Sequence, residues 1–229
     1  MGSMKAQTAP HRNHAFKRIE LFAIIGGISL LVLVLAALLL PALAASKRKS
    51  ARLGCVNCLH QINLAFKVWE GDNYDKFPMY FALTNSDTMK LISNGKAYVL
   101  WQTMSNELST PKVLRCPDDA ERTYATNFTD GFSDKNISYF FSLDAADTYP
   151  QMILDGDDNL AINGVRVKPG ILNLPVTGSL TWTKERHRGA GNLSMADGSV
   201  FQTTPSTLNA VVIAATNGAP VTSYRWVIP

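Results

Sequence analysis

The sequence predicts an α+β protein: a long N-terminal α-helix, its lower half transmembrane, packed on a C-terminal antiparallel β-sheet head. Three observations carry this reading. Leu21 to Ala45 contains no ionisable side chain. Apolar residues then recur at steps of three and four as far as Trp69. From Ser138 onward, short β-branched and aromatic runs alternate with Gly, Pro, Asn and Asp.

The uncharged run is long enough to span a bilayer, because a helix needs about 20 apolar residues to cross a hydrocarbon core of about 30 Å. A secretory signal has a shorter apolar stretch before its cleavage site, so the length favours an anchor even though Ala42-Leu43-Ala44 has suitably small residues. Charge divides the chain at the same place. Residues 1–52 carry eight Lys and Arg against Glu20 alone, a balance of +7, so the +4 of the whole chain leaves −3 for residues 53–229. The basic excess flanks the span, and the mildly acidic remainder argues against a phosphate-binding surface, so no nucleic-acid partner is expected. Lys5, Arg12, Lys17 and Arg18 on one side balance Lys47, Arg48, Lys49 and Arg52 on the other. The positive-inside rule therefore does not set the orientation.

Beyond the span, Leu53, Val56, Leu59, Ile62, Phe66 and Trp69 continue a helical apolar face to about Glu70. Gly71-Asp72-Asn73 supplies stop chemistry, and Pro78 prevents immediate resumption. Pro41 and Gly26-Gly27 are soft points inside this helix. Residues 79–110 hold a weakly periodic stretch that suits one or two short helices. Strand-like runs follow at 138–143, 164–167, 179–183, 191–196 and 199–204, and Asp197-Gly198 predicts a two-residue type I′ hairpin between the last two. Leu208 to Ala215 suits either a helix or a strand.

The segment Ala15-Phe16-Lys17-Arg18-Ile19-Glu20, preceded by a basic leader and followed by the apolar run, resembles the class III signal of type IV pilins and type II secretion pseudopilins. The resemblance implies cleavage by a prepilin peptidase between Ala15 and Phe16, methylation of Phe16, and an assembly role for Glu20. A carboxylate at the rim of an apolar helix is costly to carry inward, so it suits a cationic partner. Pro41-Ala42-Leu43, Ala51 to Asn57, Gln61 to Phe66, Asp72 to Pro78, Cys116-Pro117-Asp118 and the His-x9-Asp-Gly spacing of His187, Asp197 and Gly198 are similar to the large pilin-like family of Planctomycetes, Verrucomicrobia and Lentisphaerae. The implied layout is a leader at 1–15, the membrane and assembly half of the stem at 16–46, its amphipathic half at 47–70, and a head at 71–229. The implied role is a pilin-like structural subunit that self-assembles with identical or related pilins and engages an inner-membrane assembly platform. It would be inserted once in the inner membrane, its head in the periplasm, and extend after assembly as a periplasmic or extracellular filament. A minor tip or cargo-binding pilin and a membrane-anchored envelope enzyme or binding domain are the alternatives.

The three cysteines allow one internal bridge at most. In the resembling family a stem cysteine pairs with one in a Cys-Pro loop, which here means Cys55 with Cys116, and Cys58 keeps the pairing open. Cys55-x-x-Cys58 lacks a second Cys pair or a His pair nearby, so no metal site is predicted from it. No nucleophile elbow, His-Glu-x-x-His pair or phosphate loop is present in the sequence, and no catalytic residue is predicted. Asp155, Asp157 and Asn159 form the densest run of oxygen ligands and are weak calcium candidates, with an exposed acidic turn the preferred account. No other cofactor is expected. His187 and Asp197-Gly198 are expected to position a hairpin turn.

Overall fold

The computed structural model describes residues 18–175, 179–217, 219, 221 and 223–229. Ala15 and Phe16 lie outside the described residues. Contacts divide the chain between Lys47 and Arg48 into two units.

One helix, α1 (Arg18–Asp72), runs on through Pro41. It is long and apolar enough to cross a membrane, and none of its most apolar 18-residue stretch is buried within the protein. In the second unit the same helix buries Cys55, Leu59, Ile62, Asn63, Ala65, Phe66 and Glu70. These positions lie three and four apart, as one helix face requires. The face is rotated from the one drawn through the large apolar letters, and Leu53 stays exposed. Asn63 occupies the inner face because its amide nitrogen is satisfied there, donating to Ser194 Oγ at 2.6 Å and to the Met195 carbonyl at 2.7 Å.

Four short helices follow: α2 (Pro78–Thr84), α3 (Ser86–Ser93), α4 (Tyr98–Thr103) and α5 (Ser105–Leu108). Pro78 takes the first turn of α2, where its missing N–H costs nothing, and the Asn85 side chain caps α3 by accepting from the Asp87 and Thr88 N–H groups. The strands are β1 (Tyr139–Ser142), β2 (Ile153–Asp157), β3 (Leu160–Ile162), β4 (Val165–Arg166), β5 (Gly170–Pro175), β6 (Leu180–Trp182), β7 (Gly191–Met195), β8 (Val200–Thr203) and β9 (Ser223–Ile228). A six-stranded antiparallel sheet has the order β5-β9-β1-β2-β7-β8, and a small sheet has the order β4-β3-β6. The ambiguous stretch at 208–215 is helical, within α6 (Pro205–Thr216), which starts on a Thr204 capping box.

The large sheet has apolar cover on both faces of β1. Phe141 contacts Trp101, and Trp101 contacts Phe66 of α1, at ring separations of 5.6 and 5.7 Å. Phe140, pointing the other way, stacks on Trp226 at 4.3 Å. Tyr139 and Phe141 pair with Asp157 and Asp155, so both carboxyls share the face that meets α1.

The run Asp155 to Asn159 is not an exposed turn: Asp155, Asp157 and Asn159 are fully buried, and the first two are in β2. The β7–β8 connection is a three-residue loop rather than a two-residue I′ turn. Met195 N–H donates to Ser199 O, Gly198 takes φ +93°, and the Asp197 carboxylate accepts from the Ser199 N–H and hydroxyl. Only the residue after the turn needs left-handed backbone in such a loop, which is why Gly198 alone carries it.

Candidate functional site

Four buried side chains from four separate segments meet beneath α1. Cys55 comes from the helix, Cys116 from the loop after a 3₁₀ turn at Pro111–Leu114, Asp157 from the end of β2, and His187 from the loop before β7. One ligand atom from each lies within 4.8 Å of all the others. Cys55 Sγ is 3.0 Å from Asp157 Oδ1, Cys116 Sγ is 3.4 Å from His187 Nε2, and that nitrogen is 3.5 Å from Asp157 Oδ2. The Tyr139 hydroxyl adds a contact to Cys55 Sγ at 3.2 Å.

Local sequence explains how each group arrives. Gly54 precedes Cys55, and a Cβ there would stand 3.2 Å from the Pro117 ring, so the glycine lets the Cys-Pro loop lie close against the helix. Asp118 in that loop accepts the His187 backbone N–H at 2.7 Å and places its carboxylate 3.2 Å from His187 Nδ1. His187 and Arg188 take φ of +51° and +58°, a left-handed geometry that non-glycine residues adopt only when surroundings impose it. The constraint is a buried charge cluster. Arg186 pairs with Asp158 and, at 3.3 Å, with Asp119, and donates to the Ser138 carbonyl at 3.0 Å; Arg122 completes the cluster 2.6 Å from Asp158. Asp157 is oriented by Asn192, whose backbone N–H and side-chain amide both donate to Oδ2, at 2.7 and 2.8 Å.

Electrostatics separates the two thiols. Burial pushes Cys55 well above its ordinary value. Cys116 is held down at about 7, first by the hydrogen bond from Cys55 and then by His187, against the effect of burial. For His187 burial works downward, but its contacts with Cys116 and Asp157 carry it above the ordinary imidazole value. An acidified thiol beside an imidazole backed by a carboxylate has the order of nucleophile, base and orienting group. That chemistry requires a substrate at Sγ, and Cys116 has no exposed surface. All four side chains lie in the interior.

The structure brings together Cys55, Cys116, Asp157 and His187 from among the residues singled out in the sequence. All three cysteines are free thiols, Cys58 is half-buried and outside the quartet, and no Cys55–Cys116 bond is formed. Asp155 lies one residue pair further along β2 and does not join the quartet, while the Asn159 amide donates to the Thr183 and Ala190 carbonyls. Asp197 and Gly198 form the hairpin loop, but His187 serves the buried cluster rather than that turn. Glu20 is in the first turn of α1. Asp118 is marked in the sequence only as part of the Cys-Pro-Asp motif, and nothing in the sequence marks Tyr139 or Asn192 as partners of this site. Comparison with protein-family models, curated proteins and solved structures finds no match for this chain.

Proposed function

We propose that the protein is a pilin-like structural subunit that is anchored by its N-terminal helix, trimmed before Phe16, and packed into a filament through that helix. The observation that carries the reading is α1. One continuous helix presents an uncharged apolar stretch, none of its most apolar 18 residues buried, in the first unit and an inward-packing face in the second. An apolar helix surface of this extent requires lipid or other helices around it, and filament assembly exchanges the first for the second. Identical head-to-tail contacts that do not close on themselves then generate a fibre. The leader, Phe16 and Glu20 of the resembling signal supply the processing and registration steps, with Glu20 accepting the cationic N-terminus of a neighbouring subunit.

The test is Glu20→Ala. Removing a charge from the rim of the span eases insertion or leaves it unchanged. The variant is expected to fractionate with membranes like the wild type but to lose most of its cross-linking into higher multimers. Equal multimer ladders for the two proteins would contradict the assembly role.

A further inference from the structure

We infer that Cys55, Cys116, Asp157 and His187 are the ligands of a structural zinc ion that ties the helix, the Cys-Pro loop and the sheet together. The donor set decides the metal. Two sulfurs, an imidazole nitrogen and a carboxylate oxygen suit zinc, whereas calcium and magnesium take oxygen alone. Four protein ligands complete a tetrahedron and leave no open position, the mark of a structural rather than a catalytic zinc. With zinc–sulfur bonds near 2.3 Å and zinc–nitrogen or –oxygen bonds near 2.0 Å, tetrahedral ligand atoms stand about 3.3–3.8 Å apart. The Cys116–His187 Nε2 contact of 3.4 Å lies in that range, the Cys55–Asp157 Oδ1 contact of 3.0 Å is a few tenths short of it, and one donor atom from each of the four lies within 4.8 Å of all the others.

The surroundings are arranged as a metal site needs. A ligating histidine ordinarily donates its other ring N–H to a carboxylate or carbonyl; Asp118 Oδ2 stands 3.2 Å from His187 Nδ1, near but not in line for that bond, and accepts the His187 backbone N–H instead. A ligating carboxylate is ordinarily fixed through its second oxygen, and Asn192 holds Asp157 Oδ2 twice, which leaves Oδ1 on the Cys55 thiol. Binding converts two thiols and Zn²⁺ into a dithiolate complex and releases two protons to solvent. The complex carries one net negative charge, and the buried Arg186 guanidinium is near enough to feel the charges of Asp157 and Cys116. Because the ligands sit at positions 55, 116, 157 and 187, one ion closes three long chain segments at once, so metal binding and folding of this unit are coupled. The inference does not depend on the filament reading.

The experiment is metal analysis of the full-length protein extracted from membranes in detergent, grown with added zinc. One zinc per chain is expected, falling below a tenth in Cys116→Ser and in His187→Ala and unchanged in Cys58→Ser. Chelation should lower the thermal midpoint of the wild type and zinc should restore it. Replacement by Co²⁺ gives a readout independent of the variants' folding, since thiolate-to-cobalt charge transfer and tetrahedral visible bands are expected in the wild type. A folded wild type without stoichiometric metal would overturn the inference, whether unreduced peptide maps then show a Cys55–Cys116 disulfide or both thiols alkylate freely. Loss of zinc in Cys58→Ser with retention in Cys55→Ser would overturn the ligand assignment.

Discussion

Asp119 is 3% exposed and its carboxylate is held by the Arg186 guanidinium, the Ser138 hydroxyl and the backbone N–H groups of Glu121 and Arg122. Burial alone would raise its pKa, but Arg186 and these donors hold it below the ordinary carboxylate value. The stability it contributes is therefore complete above about pH 3.9, the unfolded value, and is lost as pH falls through the lower folded-state value. Asp119→Asn leaves Arg186 with less compensation, and breaking such a buried pair costs about 3–5 kcal/mol at pH 7. Urea unfolding should show that gap narrowing as pH drops toward about 3. A pH-independent gap would mean that Asp119 acts through shape rather than charge. Asp155 has the opposite sign. It is fully buried, Ser194 is the one hydroxyl that acts on it and neither oxygen makes a well-formed hydrogen bond among the described residues, and burial outweighs Ser194 and pushes its carboxyl well above the usual range. A raised value favours folding below the unfolded pKa and works against it as pH rises. Asp155→Asn should thus be at least as stable as the wild type at pH 7, and a large loss of stability there would show that an ionised Asp155 has a partner.

Gly156 separates the two aspartates of β2, and its lack of a side chain lets β2 lie against its neighbours. A Cβ at this position would meet Leu193 Cδ2 at 2.8 Å and both the Asn192 carbonyl and the Phe140 ring at 2.9 Å. The carbonyl belongs to β7 and has little room to yield. Gly156→Ala should cost about 1–3 kcal/mol by overpacking and disturb the Asn192 grip on Asp157, whereas an unchanged urea midpoint would show that β2 shifts freely. Strand β2 was also the element least legible in the sequence. Its letters, Ile-Leu-Asp-Gly-Asp, read as a turn because Asp and Gly favour turns, and only tertiary partners such as Asn192 make them tolerable in a sheet. Helix α1 was legible because the span is uncharged and its continuation keeps a helical period. The inner face was misjudged by a fraction of a turn, since Cys55 and Asn63 are placed by polar contacts that hydropathy does not register. The quartet was hidden for a related reason: Cys55 and Asp157 are 102 residues apart, and no local spacing reports a site whose ligands come from four segments.

The proposed filament depends on α1 and on what happens at its N-terminal end. A helix with an uncharged stretch and no burial of its most apolar stretch is equally suited to anchor a single domain permanently. What separates a pilin-like subunit from an anchored domain is removal of the leader, because only the trimmed chain presents a new amine at Phe16 for the Glu20 of a neighbour. Intact-mass measurement of the protein isolated from its native membrane reads this directly. The expected mass is that of a chain lacking residues 1–15 and carrying one added methyl group on Phe16. A full-length chain, or one cleaved after Ala44, would contradict it.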